Sequence, residues 1–316
     1  MRPDDLRPLL PLYGVPREAP LRLLNQSENA TWMAGADQLV LRVHRHGYHR
    51  KEEIASELCW LQALQGVDGL RCVAPVPDKA GTVLQEQAGR FVVAFQPIPG
   101  REVQVADDLH GWFGALGEIS ARLHLQARNW ARPPGFTRKR WDVETILGPD
   151  PHWGRWRDAP GLDPAGAAVL DRLAADLAHR LWAYGTAPGR FGLIHADLRL
   201  ANLMIDQGSL WAIDFDDCGF GWWMYDLAAA VSFIETDPRL PDLMALWCEG
   251  YARIAPLAAE DRAVLPVMVM LRRVLLTAWI GSRADSDTAQ ALGGPDYTAG
   301  TVMLADRFLA KGRLWS

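Results

Sequence analysis

Apolar residues come in short runs through the first third of the chain and fall at helical spacing from about residue 107 onward. The runs at 21–24, 31–33, 38–43 and 91–95 are rich in Leu, Val and aromatic residues and end at polar or Gly-containing stretches, which predicts strands. Residues 50–65 place Ile54, Leu58 and Leu61 at i, i+4 and i+7, one face of a helix. Over 107–128, Leu109, Trp112, Phe113, Leu116, Ile119 and Leu123 share a face and predict a long amphipathic helix with those aromatics in the core. Asp163-Pro164 is a good helix start, an N-cap followed by Pro at the first position, and Leu170, Leu173, Leu177 and Leu181 give that helix one apolar face. Residues 224–234, 240–254, 261–279 and roughly 298–308 also read as helices. The runs 203–205 and 210–213 flank Asp206-Gln207-Gly208 and predict a β-hairpin. The expected class is α+β.

The strand expected at 91–95 runs into Gln96-Pro97-Ile98-Pro99-Gly100. We place the division there, giving a β-rich first lobe over 1–96 and a mostly helical second over 97–316. A chain of 316 residues is too long for one small core, which agrees with two lobes. Residues 129–156 are rich in Pro, Gly, Trp and Arg and only weakly periodic, and a long irregular insertion of that kind is often functional.

Composition narrows the classes. With 49% hydrophobic and 22% charged residues the chain is an ordinary globular protein. A formal net charge of −5, with no Lys/Arg run, argues against a nucleic-acid partner. Cys59, Cys72, Cys218 and Cys248 are scattered without a C-x-x-C, as expected of reduced thiols in a cytoplasmic protein. The N-terminus has no apolar stretch of signal-peptide type. Residues 263–271 are apolar, but Arg272 and Arg273 end that run far short of a bilayer span, so a core helix and no membrane partner are expected. A monomer or homodimer is the plain expectation.

The chemistry concentrates in 191–226. An apolar run ends in His195, followed by Ala196, Asp197 and, five residues after that, Asn202; the second hairpin run delivers Ile213-Asp214-Phe215-Asp216-Asp217. The hairpin would carry Asn202 and Asp214 to one end, beside the loop holding Asp197. A carboxylate, a carboxamide and a second carboxylate suit phosphoryl transfer from a nucleotide, where a hydroxyl nucleophile needs an orienting acceptor. Hard Mg²⁺ takes few protein oxygens and keeps water and phosphate oxygens for the rest.

His195-Ala196-Asp197-(four residues)-Asn202, the I-D-F-D-D run and Asp226-Leu227-Ala228 together resemble the aminoglycoside phosphotransferase/choline kinase-like family. Within it, the motifs most resemble the homoserine-kinase-like and bacterial stress-response-kinase-like branch. Family members usually carry Gly where Ala196 stands. The resemblance implies a two-lobed protein-kinase-like fold that uses ATP and Mg²⁺. It gives Asp197 the catalytic role, makes Asn202 and Asp214 the metal ligands, lets His195 brace the loop and lets Asp226 anchor it. Asp216 is either a second metal contact or, with Asp217, part of a solvated acidic turn.

In the first lobe the resemblance puts Arg42 at the strand position that grips phosphate, and Glu57 as its partner, with Glu52 and Glu53 as alternatives. Residues 25–30, including Ser27 and Asn29, lie where the loop over the phosphates belongs but contain no glycine; an ordinary hairpin turn is the competing reading. Gln96 and Ile98 are the candidates to present backbone groups to adenine.

The expected partner is a small-molecule hydroxyl acceptor. Arg138, Arg140, Trp141, Trp153 and Trp156 could wall its pocket or form a packed cap, and Trp222 and Trp223 could cage a quaternary amine or pack the lobe. An arginine of the 129–156 insertion could instead read the carboxylate of an acceptor such as homoserine. The expected function is an ATP- and Mg-dependent O-phosphotransferase. The alternatives are a Ser/Thr protein kinase of the stress-response type and a nucleotide-binding regulator without turnover.

Overall fold

The computed structural model describes residues 2–26, 29–312 and 314. They separate into two compact units that are discontinuous in sequence: unit 1 is 1–102 with 131–138 and 203–216, and unit 2 is 103–130, 139–202 and 217–316.

Unit 1 is built on β1 (Leu21–Gln26), β2 (Ala30–Ala34), β3 (Leu39–Val43), β4 (Leu84–Gln87) and β5 (Arg90–Phe95). They form an antiparallel sheet in the order β1-β2-β3-β5-β4. Alternation along β3 decides what each face does: Leu39, Leu41 and Val43 enter one apolar cluster, whereas Arg42 points to the other face. That cluster is completed by α1 (Pro3–Leu6) and a 3₁₀ turn (Arg7–Tyr13), which bring in Leu6, Leu9 and Leu10. Helix α2 (Lys51–Leu64) buries Ile54, Leu58 and Leu61 as their spacing predicts.

A second small sheet of unit 1 joins β6 (Arg101–Glu102) to β9 (Leu203–Asp206) and β10 (Ser209–Ala212). β9 and β10 form the expected hairpin. Its turn is shorter than expected, because Asp206 pairs with Ser209 and leaves Gln207-Gly208 as the loop. Both turn residues have positive φ, 47° and 74°, the twist that matches flanking strands.

Unit 2 carries α3 (Leu109–Asn129), α4 (Val143–Leu147), α5 (Pro164–Tyr184), α6 (Tyr225–Ala230), α7 (Leu240–Ile254), α8 (Ala259–Ser282), α9 (Asp287–Ala291) and α10 (Gly294–Lys311). A small sheet of β7 (Arg140–Trp141), β8 (Phe191–Ile194) and β11 (Gly219–Trp222) lies in the order β7-β11-β8. Asp163 caps α5 as predicted, accepting from the Gly166 amide. Two expectations need correction. The helix expected over 224–234 stops at Ala230, because Phe233 adopts φ +70°, outside any right-handed helix. The core helix expected over 261–279 forms as α8 and is mostly buried; what needs correction is that Arg272 and Arg273 do not cut its apolar length short, since by length and composition alone it could cross a bilayer.

α3 and α7 approach each other closely through glycines. A Cβ on Gly117 would stand 2.1 Å from the Trp247 carbonyl oxygen, and one on Gly250 only 1.9 Å from that of Gly114. Neither backbone can yield without moving a helix. We expect Gly250→Ala to cost about 1–3 kcal/mol, the usual penalty of overpacking, read as a lowered midpoint of thermal unfolding; an unchanged midpoint would show that the two helices separate freely.

Candidate active site

In unit 1 the site begins at Arg42. Its Nη2 donates to both carboxylate oxygens of Glu57, at 2.7 and 2.8 Å, and the guanidinium lies over the Phe95 ring, 5.1 Å from its centroid. Glu57 is fully buried and Arg42 is 5% exposed. Of the three candidate glutamates, Glu57 holds Arg42. Glu53 instead caps α2 by accepting from the Arg50 amide, and Glu52 is exposed. Burial opposes the charge on Arg42, but Glu57, Asp216 and Asp214 more than offset it and raise its pKa above the ordinary arginine value. Asp214 stands 3.6 Å from Arg42 Nη1, keeps its side chain 44% exposed and has φ +59°.

Asp216 is placed differently. It is 3% exposed, and its two oxygens face His44 Nδ1 and His49 Nε2, each at 3.3 Å. Burial alone would raise its pKa, yet His49, His44 and then Arg42 hold it well below the usual carboxylate range. Its backbone carbonyl accepts from Arg138, which also donates to the Glu53 carbonyl at 2.8 Å. His44, Glu57 and Asp216 offer donor atoms within 4.8 Å of one another, but the Arg42 guanidinium already occupies the cation position beside Glu57.

The other unit 1 candidates take quieter places. The Asn29 side-chain oxygen accepts from the Arg45 amide at 3.1 Å, Gln96 is exposed, and the Ile98 carbonyl accepts from the Gly100 amide at 2.8 Å. Ser27 lies outside the described residues.

In unit 2, β8 delivers the loop 195–202. Asp226, fully buried, accepts the amides of His195 at 3.2 Å and Ala196 at 2.7 Å. His124 on α3 stands 3.0 Å from the same carboxylate and 3.0 Å from the Tyr251 hydroxyl of α7. Ala196 has φ +68°, which accounts for the glycine usual at this position. The Asp197 amide then donates to His195 Nδ1 at 3.2 Å, so His195 braces the loop from within.

The Asp197 carboxylate is bonded on both oxygens. Asn202 Nδ2 donates to Oδ2 at 2.7 Å and to the Asp197 carbonyl at 2.8 Å; Arg199 Nε is 3.4 Å from Oδ2, and Arg272 donates to Oδ1. With its Nδ2 committed, Asn202 has its carbonyl oxygen left as a hard ligand.

The aromatic candidates are packing groups. Trp141, Trp153 and Trp156 are buried, with Trp141 and Trp153 edge to face at 5.2 Å. Trp222 and Trp223 are buried too, and their indole N–H groups donate to the Gly185 and Pro188 carbonyls. Arg140 pairs with Asp142 at 2.7 Å and covers the Phe191 ring. Sequence reasoning missed His44, His49, His124, Arg199 and Arg272. For the first two a signal existed, since R-V-H-R-H-G-Y-H crowds histidines directly after the Arg42 strand.

A β-sheet unit with a buried Arg–Glu pair and a helical unit with an Asp–Asn loop define a phosphotransferase of the protein-kinase-like class. The chain belongs to the phosphotransferase enzyme family, whose sequence profile matches residues 21–257, and it is a kinase of the alcohol-acceptor kind. A microcompartment-associated aminopropanol kinase of known structure is 44% identical, with a TM-score of 0.89 over 98% of each chain. Homoserine kinase of Gluconobacter oxydans (strain 621H) is 30% identical over 249 residues, 73% of this chain and 74% of that one. The structure of the amicoumacin kinase hAmiN with AMP-PNP, Ca²⁺ and Ami superposes with a TM-score of 0.78 at 22% identity, covering 98% of this chain and 93% of that one.

His124 yields a pH prediction. Burial lowers its pKa below the ordinary 6.5, with Asp226 opposing the shift, so the unfolded chain takes up the proton more readily. The stabilisation from keeping it neutral is complete above about pH 6.5 and is lost as pH falls below that, with a slope of at most about 1.4 kcal/mol per pH unit. Denaturant unfolding between pH 5 and 8 should show a steeper acid-side loss in the parent than in His124→Gln; identical slopes would refute the assignment.

Proposed function

We propose that this protein is an ATP- and Mg²⁺-dependent O-kinase of a small amino alcohol, with aminopropanol the first candidate. The observation that carries the reading is 44% identity over 98% of both chains to an aminopropanol kinase. The arginines support it. Arg138, Arg272 and Arg273 are buried and committed to protein acceptors, so none of these three is left to read the carboxylate of an acceptor such as homoserine.

In this reading Asp197 orients the acceptor hydroxyl and takes its proton as the phosphoryl group moves. Arg42, fixed by Glu57, neutralises charge on the nucleotide phosphates. Asp214 offers an open carboxylate and Asn202 a free carbonyl oxygen, hard donors of the type Mg²⁺ takes. The metal, when bound, offsets charge on the transferring phosphates. The AMP-PNP and Ca²⁺ held by the amicoumacin kinase support nucleotide and divalent-ion use. Asp216, enclosed by two imidazoles, is assigned to holding the segment of Asp214 in place, and the 96–98 backbone to adenine. Four scattered cysteines, none of them in a disulfide, fit a reducing cytoplasm.

The test is Mg-ATP turnover with 1-amino-2-propanol, ethanolamine, homoserine, an aminoglycoside and a generic protein. We expect the highest kcat/KM with aminopropanol. A higher value with homoserine, or transfer to protein alone, overturns the reading.

The residue roles are tested separately. Asp197→Asn should lower kcat at least about a thousandfold, in the range of a lost general base, with nucleotide affinity kept. Asp214→Ala should weaken Mg-ATP binding itself, read by titration calorimetry; unaltered affinity would remove Asp214 from the metal site.

A further inference from the structure

Arg272 sits inside α8, directly after the apolar stretch 263–271, and is 2% exposed. Its guanidinium is almost fully used: Nε donates to Ser232 Oγ at 3.2 Å, Nη1 to the Ala196 carbonyl at 3.2 Å and the Tyr225 hydroxyl at 3.3 Å, and Nη2 to Asp197 Oδ1. The Trp153 ring lies under it at 5.1 Å. A buried guanidinium carries a desolvation penalty of several kcal/mol, and apolar replacements of buried ion pairs are often no less stable. Stability is therefore a poor reason for an arginine here.

We propose that Arg272 is a positioning residue for phosphoryl transfer: anchored on Ser232, Tyr225 and the Ala196 carbonyl, it fixes the plane and place of the Asp197 carboxylate. The proposal rests on the kinase reading above. Asn202 and Arg199 approach Oδ2, whereas Oδ1 is held by Arg272. Without that contact the carboxylate can turn about its last side-chain bond. Because Arg272 also grips the Ala196 carbonyl, it ties down the backbone one residue before the base, where φ is +68°. With its donors spent inside the protein, it acts through Asp197.

The next residue supplies an internal control. Arg273 is on the same helix and 5% exposed, and it bonds Glu235, Thr301 and the Tyr297 carbonyl. It donates to no residue of the 195–202 loop in these contacts. Loss of either arginine removes a buried charge pair, but only loss of Arg272 should displace the base.

The experiment compares Arg272→Met, Arg272→Lys, Ser232→Ala and Arg273→Met, with kcat expressed per folded enzyme and nucleotide affinity measured independently. A displacement of about 1 Å near the chemistry costs on the order of a hundredfold in rate, so Arg272→Met should lower kcat by about that factor with nucleotide affinity within threefold. Lysine keeps the charge but not the planar fork, and should recover only a small part of the loss. Ser232→Ala removes one anchor and should lower kcat about three- to tenfold; it keeps the test open should Arg272→Met not fold. Arg273→Met should lose stability while its folded fraction turns over like the parent.

Parental kcat in Ser232→Ala and Arg272→Lys overturns the proposal, as does an equal kcat loss in Arg273→Met. If the unaltered chain phosphorylates no acceptor, the functional reading fails and this one with it. If it turns over and the Arg272 variants match it, this inference alone fails.

Discussion

The constraint on which unit 2 depends is the solvation of one buried carboxylate. Asp226 is fully buried, so its charge calls for hydrogen-bond donors around it, and two of those are the amides of His195 and Ala196. Accepting both forces the chain to turn sharply after β8, which places Ala196 in the left-handed region and points Asp197 away from the strand it follows. His124 supplies a further partner and links the carboxylate to Tyr251. The packing of α3 against α7, possible only because Gly117 and Gly250 let the backbones meet, thus determines where a donor stands for the loop that carries Asp197. Core packing and site geometry are one problem here.

Unit 1 solves the same problem with different groups. Arg42, Glu57 and Asp216 are all buried, and the carboxylates are compensated by a guanidinium and two imidazoles. Asp214 is the exception, with nearly half of its side chain open to solvent. The contrast between Asp214 and Asp216, two residues apart, is between a side chain open to solvent and one enclosed by two imidazoles.

These distinctions bound what was legible in the sequence. The strands, the hairpin, most helices and the order Asp197, Asn202, Asp214 were readable because periodicity, turn chemistry and spacing are local properties. Glu57 could be proposed but not separated from Glu52 and Glu53, since a helix start offers several glutamates and only the fold shows which one is buried. The end of α6 was misread because the apolar pattern continues past a backbone break at Phe233 that leaves no mark in composition. Arg272 was placed within a helix but given no role beyond ending an apolar run, and only contacts with residues 40 and 75 positions away reveal a buried ligand of Asp197. For the tryptophans of the 129–156 insertion the sequence left a binding wall and a packed cap both open, because only their burial, seen in the fold, separates the two.

The arrangement around Asp197 also fits the demands of the reaction. Phosphoryl transfer through a loose transition state requires little covalent participation and much positioning, so the acceptor of the hydroxyl proton must above all be in the right place. A carboxylate bonded on both oxygens, to an amide on one and a guanidinium on the other, is held in both place and direction. The guanidinium suits that role because its planar fork can meet a carboxylate, a carbonyl, a phenol and a serine at once without losing its charge. Placing it within α8, inside the helical unit, makes the position of the Asp197 carboxylate a property of the core itself.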